Sequence, residues 1–262
     1  MALVHPAYAQ LRQVTPNAAV MLADNPSVMS LEGTNTWILR APGSDECVVV
    51  DPGPLDEGHL ARVAQVPVAV TLISHRHFDH TEGAGRFSEL AECPVHAVTP
   101  QYRHGGGSDL RDGDVIEAAG LRIRVVATPG HTADSLSFLV ENDNSVLTAD
   151  TILGRGTTVL DDTDGDLGDY LQSLRTLIRF GRGYTVLPGH GPELPDLETI
   201  ARGYLAHRED RLEQVRAALR TLGGDATARR VVEHVYADVD RSLWGAAEKS
   251  VNVQLEYLRS FS

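Results

Sequence analysis

Five apolar segments of this chain stop on a reactive side chain, and that pattern restricts its architecture more than any other feature. "ECVVVDPG" (46–53) reaches Asp51, "PVAVTLISH" (67–75) His75, "VIEAAGLRIRVVATPGH" (115–131) His131, "SVLTAD" (145–150) Asp150 and "YTVLPGH" (184–190) His190. Short runs rich in Val, Ile and Leu, bounded by Gly and Pro, read as strands. If the strand ends share one edge of a sheet sandwich, residues far apart in sequence meet there. "NTWILR" (35–40) pairs with 46–53 through the turn "APGSD", residues 115–131 turn back at Gly120, and "SLSFLV" (135–140) pairs with 145–150 around "ENDN". "LDEGHLARVAQ" (55–65) and "LGDYLQSLRTLIRF" (167–180) have helical spacing. After "GPELPDLET" the character changes: 205–222, 227–236 and 243–258 all read as helices. The expected division is a catalytic domain over 1–199 and a small helical domain over 200–262.

The stretch "LISHRHFDHTEGA" (72–84) packs His75, His77, Asp79 and His80 into six positions. In an extended segment His75 and His77 project to the same side. Asp79 and His80 then point elsewhere, which suits a second ion a few ångströms away. Zinc favours imidazole nitrogen and carboxylate oxygen, and two ions can share one site. The cluster alone has too few donors for two ions. His131, Asp150 and His190, each after a strand and the two histidines each preceded by Pro-Gly, supply the rest. Asp51 reads as a hydrogen-bond partner that fixes a ligand histidine. The other histidines, His5, His59, His96, His104, His207 and His234, lack such spacing and read as surface or packing residues. Asn35 and Thr36 either contact substrate or hold the metal loops. "GRGTT" (154–158) follows Asp150, so Arg155, Thr157 and Thr158 are placed to receive oxygens of a substrate phosphate.

Charge narrows the substrate. The net charge is −13, with 23 basic and 36 acidic residues. Residues 201–262 hold ten of the basic and nine of the acidic ones, which leaves 13 basic against 27 acidic in the first 200. Whole-surface binding of a polyanion is therefore disfavoured. Aromatic residues make up 5% of the chain, which weakens recognition of single strands by stacking. A single lysine, Lys249, makes lysine-nucleophile chemistry a poor expectation. The N-terminus has neither a basic nor a continuous apolar stretch of the secretory type, and no run is long enough to span a membrane. With two cysteines, Cys47 and Cys93, expected to be buried free thiols, the expected location is cytoplasmic.

These motifs resemble the metallo-β-lactamase superfamily, whose pattern H-x-H-x-D-H, H, D, H matches His75, His77, Asp79, His80, His131, Asp150 and His190; "VVVDPG" matches its strand ending in aspartate. The resemblance covers residues of about 15–195. It implies an αββα sandwich, in the α/β class, and a hydrolase with two divalent metal ions, zinc first and manganese as the alternative. One ion would take His75, His77 and His131, the other Asp79, His80 and His190, with Asp150 bridging. The nucleophile would be a metal-bridging hydroxide, oriented by Asp79, which is both ligand and catalytic residue. The β-lactam-hydrolysing class usually carries Cys at the position of Asp150, and the redox diiron branch Glu at that of His77, so neither activity is expected. "EGTNTW" (32–37), "ILGRGTTVL" (152–160), "PGHGP" (188–192) and the H-R-x-x-R of His207, Arg208 and Arg211 look more narrowly like the β-lactamase-like protein 2 group. That group includes a single-strand-RNA endoribonuclease and has a C-terminal winged-helix domain, which the three-helix reading of 200–262 fits. The chain ends at "YLRSFS", where a wing hairpin would follow, so the wing is expected to be short or absent.

The leading expectation is thus a phosphodiesterase of the single-strand endoribonuclease type. The alternative is a glyoxalase II-like hydrolase of small thioesters or lactones, which the acidic charge favours. A third reading is a metal-binding regulator whose C-terminal helices dock a partner. The expected partners are single-stranded RNA or a small ester or thioester, with no membrane.

Overall fold

The computed structural model of the chain describes residues 5, 7–160, 163–237, 240–241 and 244–260. Its backbone hydrogen bonds sort the strands into two sheets. The first runs in chain order: β1 (Leu11–Gln13), β2 (Ala18–Leu22), β3 (Asn35–Leu39), β4 (Cys47–Val50), β5 (Val68–Leu72) and β6 (Val95–His96). The second is built from β7 (Val115–Ala118), β8 (Leu121–Ala127), β9 (Leu136–Val140), β10 (Ser145–Ala149) and β11 (Thr185–Pro188), in the spatial order β11-β10-β9-β8-β7. β3 and β4 pair antiparallel with Trp37 opposite Val50, whereas β4 and β5 run parallel because helix α1 (Glu57–Val63) carries the chain back between them. β10 and β11 are likewise parallel, joined through α4 (Leu167–Ile178).

The layering follows from side-chain alternation. Along β3, Trp37 and Leu39 enter the core between the sheets, packing with Val48, Val50 and Leu72 against Ile123, Phe138, Leu147 and Leu187 of the second sheet. Ile38 points the other way, to Val49, Leu60 of α1 and Phe87 of α3 (Ala84–Ala91). β4 is buried at every position, which is why it reads as an unbroken apolar run rather than an alternating one. On the far side, Val126, Leu139, Val146 and Val186 pack under Tyr170, Leu171 and Leu174 of α4. Both crossover helices start on an aspartate cap: Asp56 accepts from the His59 amide at 2.9 Å and Asp166 from the Asp169 amide at 2.8 Å. The result is the expected αββα sandwich.

The described residues of the C-terminal region form three helices joined by short turns, α5 (Leu197–Leu222), α6 (Ala228–Val235) and α7 (Trp244–Arg259). The third helix, read from Leu243, begins at a residue outside those described. α5 runs without interruption through residue 200. Leu197, Ala201 and Leu212 belong to the α4 core, while Val215 and Ala218 join Val231, Val232, Trp244, Val251 and Leu255 in a second small core. Cys47 and Cys93 are buried free thiols. No helix among the described residues is long and apolar enough to cross a membrane.

Candidate metal centre

At one edge of the sandwich the segments after β4, β5, β8, β10 and β11 converge on the four-residue helix α2 (Phe78–Thr81). Two clusters of donors result. In one, ligand atoms of His75, His77, His131 and Asp150 lie within 4.8 Å of one another; in the other, those of Asp79, His80 and His190 do. Asp150 sits between them: its Oδ2 is 3.6 Å from His131 Nε2 and 3.3 Å from His190 Nε2. The structure therefore brings all seven predicted donors to one place, in two groups that could each hold an ion.

The surroundings fix which nitrogen of each ring carries the proton. Asp51 accepts from the Ser74 amide at 2.8 Å and hydroxyl at 2.6 Å, so the Ser74 oxygen is left to accept from His75 Nδ1 at 2.9 Å. The same carboxylate accepts from His80 Nδ1 at 2.9 Å. His131 Nδ1 donates to the Val159 carbonyl at 2.6 Å and His190 Nδ1 to the Gly33 carbonyl at 3.1 Å. Four rings thus hold a proton on the outer nitrogen and aim Nε2 inward. His75 Nε2 and His131 Nε2 each lie 3.0 Å from His77 Nδ1, a convergence of three ring nitrogens that suits a cation among them. Asp150 Oδ1 is buried with no hydrogen-bond partner. Five imidazoles and two carboxylates, with an orphaned carboxylate oxygen at the middle, fit a pair of divalent cations.

Titration behaviour agrees. Burial pushes His75 and His131 down, towards the neutral form a ligand needs. Burial also opposes charge on His80 and His190, but Asp79, Asp51 and Asp150 outweigh it and push His80 up to about 9, while Asp150 and Asp79 push His190 up to about 11. Burial raises Asp79 and Asp150 as well, yet the imidazoles of His80 and His190 hold both carboxyls below their ordinary range. The carboxylates draw protons onto these two rings, and metal binding must displace them.

Close backbone approach explains the Pro-Gly before each late histidine. A Cβ on Gly189 would stand 2.4 Å from Asp150 Oδ1, and one on Gly130, whose φ is +128°, would stand 2.4 Å from the Tyr170 backbone. Only glycine lets both loops close on the centre.

The expected substrate contacts fare differently. Asn35 donates to the carbonyls of Pro188 at 3.0 Å and Gly191 at 2.8 Å, so it ties β3 to the His190 loop. Thr36 is not a substrate contact: period-two alternation turns it towards α1, where its hydroxyl is fully buried 2.9 Å from His59 Nε2. Thr158 is also committed, its buried hydroxyl donating to the Asp150 carbonyl at 2.8 Å. Arg155 pairs with both oxygens of Glu32, at 2.7 and 2.5 Å, which corrects its reading as an open phosphate clamp. Thr157 is exposed and lines a cavity beside the centre. Two residues escaped the sequence reading. Ser74 relays Asp51 to His75, and Thr34 donates to Asp79 Oδ2 at 3.0 Å. A hydroxyl directly preceding His75 and another directly preceding Asn35 were the available signals.

Residues 29–190 match the family described as the Metallo-beta-lactamase superfamily, and residues 227–260 the Beta-lactamase associated winged helix domain. The chain is 31% identical to lactamase-like protein ptaB of Pestalotiopsis fici over 91% of its own length and 78% of that protein. It is 32% identical to an atrochrysone carboxyl ACP thioesterase of Aspergillus chevalieri, over 89% and 78%. A crystal structure of a beta-lactamase domain protein from Burkholderia ambifaria shares the fold with a TM-score of 0.77 at 22% identity, covering 98% of this chain and 90% of that one. With this fold, these motifs and a donor set suited to two ions, the chain belongs to the metallo-beta-lactamase superfamily and is a metal-dependent hydrolase with an associated winged-helix domain.

Proposed function

We propose that the protein hydrolyses acyl thioesters, using two zinc ions. The observation that carries this reading is the apolar surface beside the metal centre. Phe78, flanked in sequence by His77 and Asp79, is 73% exposed; Met29 and Val159, at 60% and 48%, line the adjoining cavity. Exposed large side chains of this kind suit an acyl group and repel a phosphate backbone. The pairing of Arg155 with Glu32 and the excess of 27 acidic over 13 basic residues in the first 200 weigh the same way. Two relatives that match most of the chain are named as acyl-carrier thioesterases. The endoribonuclease reading, and with it the narrower likeness to the RNA-cleaving group, is left without its phosphate clamp.

When bound, the two cations supply Lewis acidity that polarises an acyl carbonyl and acidifies water. His75, His77, His131, Asp79, His80, His190 and Asp150 would hold them. Thr34 keeps the Asp79 carboxylate turned to the centre, and Asp51, Ser74, Gly33 and Val159 keep the ring protons on the outer nitrogens. In the net reaction water oxygen bonds to the acyl carbon, the C–S bond breaks and the thiol leaves with a proton. On this reading residues 1–199 carry the chemistry and residues 200–262 shape the substrate.

The test is to load the full chain with zinc, and separately with manganese, and offer acyl-coenzyme A thioesters and single-stranded RNA. Thiol release with kcat/KM above about 10⁴ M⁻¹s⁻¹ and intact RNA are expected. RNA scission without thiol release would overturn the reading, and activity with manganese alone would overturn the zinc assignment.

A further inference from the structure

The second donor cluster, Asp79, His80 and His190, contains one carboxylate, and a hydroxyl braces it. A hydroxyl alone gives no fixed direction. Its hydrogen rotates, so Thr34 can offer Asp79 either a proton or a lone pair. What stands behind Thr34 decides which. Asn25 Oδ1 accepts from the Thr34 main-chain N–H at 2.9 Å, and Asn25 Nδ2 lies 2.9 Å from Thr34 Oγ1. A main-chain N–H can only donate, so the amide oxygen must face it and the amide nitrogen must face Oγ1. Thr34 Oγ1 therefore accepts from Asn25, and its own hydrogen goes to Asp79 Oδ2, 3.0 Å away. Thr34 is fully buried, so the protein rather than solvent sets that direction. The oxygen that receives the hydrogen is the one 3.3 Å from His190 Nε2 and 3.5 Å from His80 Nε2.

The same amide reaches a second donor. The N–H that Asn25 holds belongs to the Gly33–Thr34 peptide group, and the carbonyl of that group accepts from His190 Nδ1 at 3.1 Å. A peptide group is planar, so fixing its N–H fixes where its C=O points. A hydrogen bond at the N–H also polarises the carbonyl and makes it a stronger acceptor. Asn25 thus holds Asp79 through a hydroxyl and His190 through a peptide plane, whereas His80 is held separately by Asp51. The loop between β2 and β3 keeps Asn25 in place. Its carbonyl accepts from the Ser30 hydroxyl at 2.6 Å, and Ser27 Oγ accepts from the amides of Met29 and Ser30 at 3.1 and 2.9 Å. The Ser27 amide closes the loop on the Leu31 carbonyl at 3.2 Å. Gly33 permits the close approach: at its φ of +145° a Cβ would stand 2.0 Å from the Ala23 carbonyl oxygen and 3.1 Å from Asn25 Oδ1.

We infer that Asn25 is a positioning residue for the metal position formed by Asp79, His80 and His190, and that it acts by setting the direction of the Thr34 hydroxyl. Asn25 belongs to neither donor cluster itself. The group of His75, His77 and His131 has braces of its own, Ser74 and the Val159 carbonyl, and does not depend on it. The inference concerns how the chain holds its second ion, so it goes beyond the choice of substrate and stands apart from thiol release. The first half of "EGTNTW" thereby gains a role, since Gly33 supplies the carbonyl for His190 and Thr34 the hydroxyl for Asp79.

Stepwise zinc binding to the full chain, read by chelator competition, tests it without requiring turnover. Asn25→Asp keeps the shape and an oxygen for the Thr34 N–H, and removes only the donor. The Thr34 hydrogen should then turn to the introduced carboxylate, leaving an oxygen lone pair against Asp79 Oδ2. One of the two binding steps should weaken by about 10- to 100-fold, as loss of an orienting partner does, with the other within about threefold of wild type. A negative charge added near the centre would by itself strengthen cation binding, so a loss reports hydrogen-bond direction rather than charge. Thr34→Val should reproduce the loss, and Thr34→Ser, which keeps the hydroxyl, should bind as the wild type does. On a Thr34→Val background Asn25→Asp should cost nothing more, because the hydroxyl it redirects is gone. Wild-type affinity at both steps in Asn25→Asp, equal weakening of both, or a further loss on the Thr34→Val background would overturn the inference. So would a Thr34→Ser variant as weak as Thr34→Val, since the methyl group would then be the brace. Zinc binding that behaves as expected in a protein releasing no thiol from any thioester would sink the proposed reaction and leave the role of Asn25 standing.

Discussion

The metal centre and the seam between the loop after Asp150, α5 and α7 both bury polar atoms without hydrogen-bond partners, yet they do so in different ways. At the centre the inward atoms are all of a kind that binds a cation once its protons are displaced: the Nε2 atoms of four rings, His77 Nδ1 and the oxygens of Asp79 and Asp150. Behind the seam a donor on Arg208 is buried with an acceptor on Gln254 and the Nδ1 of His207. A converging set of this kind at the centre is completed by a cation, whereas buried donors and acceptors that open to no shared space are a cost of packing. An unpaired buried atom thus points to a ligand only where its neighbours converge on one place.

The sharpest way to break the comparison is to remove a donor at the centre. His75→Ala or Asp150→Ala should lower kcat/KM by on the order of 10³-fold, the several kcal/mol that metal chemistry contributes, and cut metal content by elemental analysis. Wild-type turnover in either variant would mean the convergent lone pairs are structural. His59 provides a contrast, being buried against Thr36 and outside both sites. Burial pushes it down to about 4, below the ordinary 6.5 it regains on unfolding. The folded state then binds fewer protons, so stability is unaffected above pH 6.5 and falls as pH drops from 6.5 towards 4, by on the order of 2–3 kcal/mol. Urea midpoints at pH 7 and pH 4.5 should show this loss in wild type and a smaller one in His59→Gln; equal losses would refute it.

Asp51 sharpens the comparison from inside the centre. It touches no ion position, but its two oxygens hold Ser74 and His80. Asp51→Asn should weaken metal binding by about 10- to 100-fold in chelator competition, as removal of an orienting carboxylate does. An unchanged affinity would show that the ring orientations are set by packing alone. The smallest effect is expected at Arg155, half exposed and paired with Glu32. Arg155→Ala should change thioester kcat/KM by less than about fivefold, consistent with a surface ion pair worth at most about 1 kcal/mol. A hundredfold loss would restore it to the substrate site.

Legibility in the sequence divides along the same line. The seven donors were readable because few residue types bind transition ions and theirs sit at strand ends. Asp51 was readable as a brace for the same reason. The strands with continuous Val, Ile and Leu runs emerged at nearly their observed bounds, whereas β2, "AAVML", and α3, "AGRFSELA", did not. Two alanines dilute the β signal of β2, and α3 follows α2 with no loop to announce it. Thr36, Thr158 and Arg155 misled because a polar side chain near a site looks the same whether its partner is substrate or protein. Their partners, His59, the Asp150 carbonyl and Glu32, come from other segments, and only the fold brings them close. The seam was unreadable for a related reason: Arg208 and Gln254 lie on different helices, and being unpaired is a property of three dimensions.

α5 adds a constraint of phase. Its 26 residues form one rod, anchored on α4 near Leu197 and Ala201 and presenting His207, Arg208 and Arg211 to the seam further along. Each residue of a helix advances about 1.5 Å and turns about 100°. One residue inserted between Ala201 and His207 would therefore swing the Arg208 guanidinium about a quarter-turn off Tyr170 and Thr158, while leaving every metal donor in place. Here the distance from anchor to contact is counted in whole residues, so this span of the chain should tolerate substitution far better than insertion or deletion.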